Sequence, residues 1–255
     1  MLPRLFVDAP LTAGAVLMLP PNAARHVQVL RLQPGVALAL FDGRGGQWLA
    51  EIRQIGRKAV QVQVGQHDAV ERELDRPVTL ALAMPANERM DGLIEKATEL
   101  GAAAIWPLVC ERSVLRVAGE RAERKAEHWR AIAQSACEQS GRNRVPEVAP
   151  PMSLARCLAG LSNVAGSAPD TTRLLLGFGA DARPAHRLLP LLHPQRPVLV
   201  LSGPEGGLSP AEEVQARAAG FMPMSLGDRV LRADTAPLAA LAALSLLAAS
   251  SGDAD

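Results

Sequence analysis

The sequence predicts an α/β protein, a mostly parallel sheet with helices, preceded by a small β-rich module. Three observations carry this reading. From residue 78 onward, apolar runs of strand length alternate with segments of helical periodicity, as in chained βαβ units. Those runs are nearly continuously apolar, which suits strands covered on both faces. Residues 4–64, by contrast, hold short β-like runs separated by Gly and Pro turn signals, without long helical periodicity.

Size and composition set the limits. A chain of 255 residues, 48% apolar and 21% charged, can bury one large core or two modest ones and reads as an ordinary soluble protein. The amino terminus lacks the apolar stretch of a signal peptide, and the richest apolar run, residues 238–249, is too short to span a bilayer. A cytoplasmic protein is expected. Cys110, Cys137 and Cys157 are widely spaced and odd in number, which points to interior thiols rather than a disulfide framework or a metal site. No metal is expected. With a net charge of +1, any nucleic-acid footprint must be local. Tyr is absent and there are only four Phe and three Trp, so recognition by rows of stacked aromatics is not expected.

In the first module, strands are expected at 37–41, 48–52 and 59–64, with turns at Pro34-Gly35, Asp42-Gly43 and Gly45-Gly46. The charged stretch 67–76 has no apolar face. The expected division is therefore a β-rich domain at 1–70, a linker at 71–76 and a second domain at 77–255. Within the second domain the strand-like runs are 78–84, 103–109, 173–178, 197–202 and 221–226. Met90, Leu93, Ile94, Ala97 and Leu100 share one helical face, and Gly101 follows as a C-terminal cap. A second helix is expected at about 120–140, burying Trp129, Ile132, Ala133, Ala136 and Cys137 before Gly141 closes it. The third has the clearest start: Ser209 as N-cap, Pro210 at the first helical position and Glu212 completing a capping box. Gly220 ends it. A fourth, rich in Ala and Leu, runs from about 235 to 249, and residues 250–255 read as a solvated tail.

Two loops carry the chemical signals. The strand at 197–202 breaks into Gly203-Pro204-Glu205-Gly206-Gly207 just before the capped helix. Such a turn lets backbone approach a ligand closely, or serves the strand-to-helix geometry alone. It is not a phosphate loop, since no Lys follows the glycines, and Gly177-Phe178-Gly179 lacks the third glycine of a dinucleotide fingerprint. The second loop, residues 225–236, carries Arg229 and Arg232, forked cations at the same sheet edge, together with Asp234 and Thr235, either of which can cap the following helix.

The segments Leu201-Ser202-Gly203-Pro204-Glu205-Gly206-Gly207-Leu208 and Leu226-Gly227-Asp228-Arg229-Val230-Leu231-Arg232-Ala233-Asp234-Thr235-Ala236 together resemble the cofactor-binding signature of the SPOUT methyltransferases, specifically the RsmE family. Lys96-Ala-Thr-Glu-Leu-Gly101, Glu111-Arg112-Ser113, the run 136–147 and, in the first module, His26 with Val29-Leu30-Arg31 resemble other segments of that family, so the likeness spans nearly the whole chain. It implies a PUA-like β-barrel at the amino terminus, a SPOUT-type α/β trefoil-knot domain after it, and a homodimer with the site near the interface. It implies S-adenosylmethionine (SAM) as cofactor, held by Leu201, Ser202, Gly203, Pro204, Glu205, Gly206, Leu226, Gly227, Val230 and Leu231, and transfer of its methyl group to N3 of a uridine in 16S ribosomal RNA of the small subunit. Arg232 is expected to stabilise charge on the uracil, and Asp234, or a water it orients, to take the N3 proton; the family usually has Glu at that position, and helix capping is the rival role for Asp234. Arg4, Arg25, His26, Arg31, Arg112, Arg116, Arg142 and Arg144 are the candidate RNA contacts. The alternatives are a SPOUT enzyme acting on a ribose 2′-hydroxyl or a guanine, and a non-catalytic RNA-binding assembly factor.

Overall fold

The computed structural model describes residues 2–57, 59–85, 89–162 and 171–249; the tail expected at 250–255 lies outside the described residues. The chain divides into two compact units, Met1–Glu73 with Gln134–Val145, and Leu74–Ala133 with Pro146–Asp255.

In the first unit, β1 (Arg4–Phe6), β2 (Val16–Met18), α1 (Pro21–Val29), β3 (Ala37–Phe41), β4 (Gln47–Ile55) and β5 (Val60–Asp68) follow in order. Among the described residues the strands form one sheet in the order β1-β3-β4-β5-β2, antiparallel except where β1 lies beside β3. Alternation along β3, β4 and β5 turns Leu38, Leu40, Ala50, Ile52, Val62 and Val64 inward, and with Leu5 and Val27 they make the core of the unit. Helix α1 was not anticipated. It is short, starts with Pro at its first position and buries Ala23, Ala24 and Val27 on one side, too few turns for periodicity to stand out.

The charged stretch read as a linker is not a free tether in its first half. Arg72 donates to the Gly141 carbonyl at 2.9 Å, Glu73 pairs with the buried Arg142 and Glu71 pairs with Arg144 at 3.4 Å. Asn143, fully buried, donates to the Val70 carbonyl at 2.7 Å and accepts from Arg4 at 2.6 Å. Charges that look solvated in sequence thus find partners 69 or more positions away, which no local pattern announces.

The second unit comprises β6 (Val78–Ala83), α2 (Arg89–Glu99), β7 (Ala104–Val109), the start of α3 (Glu120–Ser140), β8 (Glu147–Val148), β9 (Met152–Ser153), α4 (Leu154–Ser162), β10 (Thr172–Leu176), β11 (Arg183–Pro184), α5 (Ala185–Leu188), β12 (Val198–Ser202), α6 (Pro210–Ala218), β13 (Met222–Ser225) and α7 (Thr235–Ala249). Among the described residues its sheet runs β11-β13-β10-β12-β6-β7-β8, with β9 also on β7. Every pairing in it is parallel. Strand β12, buried at all positions, pairs with β6 from Val198↔Val78 to Ser202↔Leu82, and helices on both faces account for that burial. This is the mostly parallel α/β sheet that the sequence predicts. β11 belongs to the connection between β10 and β12, yet it pairs with the outer side of β13, so a later strand is inserted between two earlier ones. The trefoil implied by the family is compatible with a later strand inserted in this way.

Helix α2 buries Met90, Leu93, Ile94 and Ala97, the face its sequence marks. Trp129 of α3, wholly buried, donates its indole N–H to Asp91 of α2 at 3.0 Å, so the ring's polar atom is satisfied where the ring is packed. Helix α7 packs on β6, β12 and α2. The three cysteines are buried; burial pushes the Cys110 and Cys137 thiols up to about 12 and the Cys157 thiol up as well. Among the described residues no helix is long and apolar enough to cross a membrane.

Candidate active site

Strands β10, β12 and β13 end side by side at the carboxyl edge of the parallel sheet, the edge at which open α/β sheets bind ligands. The loops leaving them enclose a cavity of about 610 Å³.

One wall is the glycine turn. After Ser202 the chain folds back so tightly that a Cβ on Gly203 would stand 3.0 Å from the Leu208 amide nitrogen. A side chain would force backbone to move, so the turn presents bare peptide groups to the cavity. Gly207, at φ 68°, sits in the left-handed region that glycine occupies without strain and donates back to the Pro204 carbonyl at 2.8 Å.

The segment after β7 clamps this turn. Arg112 Nη1 donates to the carbonyls of Gly206 at 2.9 Å and Leu208 at 3.1 Å. The amide of Glu111 donates to Glu212 Oε1 at 2.8 Å. Glu212 is itself buried in the capping box of α6: its Oε2 accepts from the Ser209 amide at 2.9 Å, and its own amide donates to Ser209 Oγ at 3.2 Å. One carboxylate therefore closes the helix start and ties it to the neighbouring loop. Glu212→Ala removes both bonds and is expected to destabilise the protein by about 2 kcal/mol, a cap and a stranded amide of about 1 each. A urea unfolding curve checks this through its midpoint.

The other wall is the loop after β13. Leu226, Val230, Leu231, Arg232 and Ala233 line the cavity, as do Ser202, Gly203, Pro204, Glu205 and Gly206 opposite. Of the expected cofactor residues, Leu201 lies wholly buried in its strand and Gly227 in an exposed turn, and neither lines the cavity. Arg232 is exposed at the cavity wall. Asp234 adjoins this wall, half-buried, without lining it.

The geometry bears directly on the two roles open to Asp234. An N-cap carboxylate accepts from the second or third helical amide. Here α7 begins at Thr235, the amides of Thr235 and Ala236 both donate to the Arg232 carbonyl at 3.0 Å, and Pro237 has no N–H. Among the described residues the Asp234 carboxylate has only the Thr235 hydroxyl, at 3.5 Å. The backbone of Arg232 caps the helix, which leaves the acid uncommitted.

The expected RNA residues fall into three groups. Arg25 and Arg31 are exposed on the first unit and Arg116 on the second. His26 lies 3.1 Å from Glu138, Arg144 is exposed beside Glu71, and Arg112 serves the glycine turn. Arg4 and Arg142 correct the expectation: both are buried. Arg4 binds Gln47, the Arg142 carbonyl and Asn143 and lies 4.9 Å from the centre of the Phe41 ring. Burial pushes its guanidinium below the ordinary value. Both cations are spent on holding the first unit together, and reaching a phosphate would strand their present partners.

Sequence reasoning missed the third wall. Gly177, Phe178 and Gly179 line the cavity, with Phe178 58% exposed at its mouth. Asp181, just beyond, forms a forked pair with Arg217 of α6, one arm at 3.2 Å, and that partner holds the Asp181 carboxyl below its ordinary value. The pair lacks the third glycine of a dinucleotide fingerprint, and the signal that the sequence carries for this wall is an exposed Phe between two glycines. Among the described residues no grouping of His, Cys, Asp and Glu could hold a metal ion.

The RNA methyltransferase domain family matches residues 72–245, well over half of the chain. The ribosomal RNA small subunit methyltransferase E of Synechocystis sp. is 36% identical over 220 residues, covering 86% of this chain and 69% of the relative. The chain belongs to the RsmE family. Its first unit agrees: the RNA methyltransferase PUA domain family matches residues 19–65. The protein of the same name from Mycobacterium tuberculosis is 33% identical over 248 residues, 95% of this chain and 90% of that one. Among solved structures, the RsmE of Neisseria gonorrhoeae, bound to S-adenosyl methionine, matches with a TM-score of 0.86 at 34% identity, covering 97% of this chain and 98% of that one. A structure from Legionella pneumophila with bound SAM matches with a TM-score of 0.85 at 34% identity, covering 96% and 98%.

Proposed function

We propose that this RsmE-family chain binds SAM between the glycine turn and the loop after β13 and methylates N3 of a uridine in 16S ribosomal RNA of the small subunit. The observation that carries the reading is the second loop, where the Arg232 carbonyl caps α7 while its guanidinium stands at the cavity wall and Asp234 is left without a capping role.

The cavity suits SAM. Its volume lies within the range of about 300–1,000 Å³ typical of small-molecule sites, and the bare peptide groups of 203–207 and the loop 226–231 offer donors and acceptors for an adenine edge and a ribose. Glu205 and Glu213 line it as well and supply negative charge suited to a cationic ligand. When bound, SAM supplies an electrophilic methyl group on its sulfonium. Uridine N3 carries a proton at neutral pH, and that proton must leave as the N–C bond forms. Asp234, or a water it orients, takes the proton, and Arg232 donates to a uracil carbonyl oxygen on which negative charge gathers. No metal is needed for this chemistry, only alignment of nitrogen, methyl and sulfur.

The first unit acts as a PUA-like RNA-binding domain, and Arg25 and Arg31 are its exposed candidates for phosphate. The chain works in the cytoplasm as a homodimer; the mostly apolar α7, with Leu246 71% exposed, and Leu191 in the turn it packs on, 75% exposed, supply the surface a partner copy would cover. The test is to incubate the protein and SAM with small subunits lacking the mark. A methyl on N3 blocks base pairing, so reverse transcriptase is expected to stop one nucleotide short of a single uridine. Read-through everywhere, with methyl incorporation into ribose, would contradict the reading.

A further inference from the structure

A second and larger cavity, of about 800 Å³, opens on the same carboxyl edge of the parallel sheet. It lies at the ends of β7 and β9, where Val109 pairs with Ser153. β6 alone separates β7 from β12 in the sheet, so the ends of those two strands, one at each cavity, lie about 10 Å apart. Its walls are apolar, formed by Val117, Pro151 and Met152, and two cations, Arg116 and Arg156, line it. The Arg156 side chain has no hydrogen bond or ion pair among the described residues, while Arg116 donates to the Glu111 carbonyl at 2.7 Å. Glu123 lines the cavity too.

We infer that this cavity is a nucleotide subsite: it receives a residue of the RNA flanking the target uridine, its base against Val117, Pro151 and Met152 and its phosphate on Arg156 and Arg116. The inference rests on the RNA-methylating reading above and extends it from the reacting nucleotide to its neighbour. Apolar walls beside an exposed guanidinium suit an unstacked base and its phosphate, the form in which single-stranded RNA is recognised. Glu123 repels an anion from its own position and so favours the arginine side. The segment that carries Arg116 and Val117 also carries Glu111 and Arg112, which hold Glu212, Gly206 and Leu208, so one segment borders both cavities.

The test uses Arg156→Glu, a surface change, and Val117→Trp, which fills the cavity. Arg116 is left alone because it braces Glu111. Affinity for unmethylated small subunits is measured by filter binding across a salt series, SAM affinity by calorimetry, and N3 methylation by primer extension. The expected result is at least a tenfold loss of subunit affinity in both variants and SAM affinity within about twofold of wild type. For Arg156→Glu the slope of log K against log salt should be shallower by about 0.7, one single-strand phosphate contact. Unchanged subunit affinity and slope in Arg156→Glu overturns the inference, as does loss of dimer at unchanged subunit affinity, which would make the cavity an interface between copies. If wild type fails to methylate N3 while the variants still lose subunit binding, the reaction assigned above falls and the subsite stands.

Discussion

Replacing Arg232 by Ala is expected to lower kcat for small-subunit methylation by about 100- to 1,000-fold, the loss seen when one donor to a developing anion is removed. The SAM dissociation constant should stay within about threefold, because the cap on α7 comes from the Arg232 carbonyl, which Ala retains. The specific feature is the split: an interaction made mainly as charge develops lowers kcat and kcat/KM together and leaves ground-state binding alone. Single-turnover kinetics with saturating SAM, beside calorimetry of SAM binding, measure both quantities. Full turnover in Arg232→Ala would remove the guanidinium from the mechanism.

Asp234→Asn is expected to cost about 100-fold in kcat at neutral pH, the lower end of what general-base catalysis contributes, with no change in the urea midpoint. Asn caps helices as well as Asp does, and here neither caps, since the amides of Thr235 and Ala236 go to the Arg232 carbonyl and Pro237 has none. The rate should recover as pH rises toward the pKa of the uridine N3 proton, because loss of that proton to solvent makes the enzyme's base redundant. A variant that lost stability instead, or that turned over at the wild-type rate, would return Asp234 to a structural role. The shorter arm of Asp relative to the Glu usual in the family makes a bridging water the natural route for the proton.

Much of the second unit was legible because its signals are local. The capping box of α6 forms as written, with both bonds of Ser209 and Glu212 present, since a cap depends on residues three apart. The strands at 78–83, 104–109 and 198–202 announce themselves by runs of apolar residues, since a strand buried on both faces leaves no room for polar ones. What could not be read is pairwise and distant. The sheet order, with β11 on the far side of β13, depends on which strands meet, and no periodicity encodes that. Arg4 and Arg142 look like surface cations until Asn143, Glu73 and Phe41 are seen around them. The short elements α1, α4 and α5 rest on packing rather than on pattern. For the site, the glycine turn and the loop after β13 were legible by family likeness, whereas the clamp from Glu111 and Arg112 and the wall at Phe178 required the fold.

The central claim is that residues 202–208 and 226–233 close around one molecule of SAM, with its methyl toward Arg232. A crystal structure of the protein grown with SAM tests it most directly. The account predicts density for the cofactor in the 610 Å³ cavity, its adenine held by backbone groups of these two loops. Density lodged at the cavity beside Arg156, or an empty cleft between the loops at saturating SAM, would contradict it.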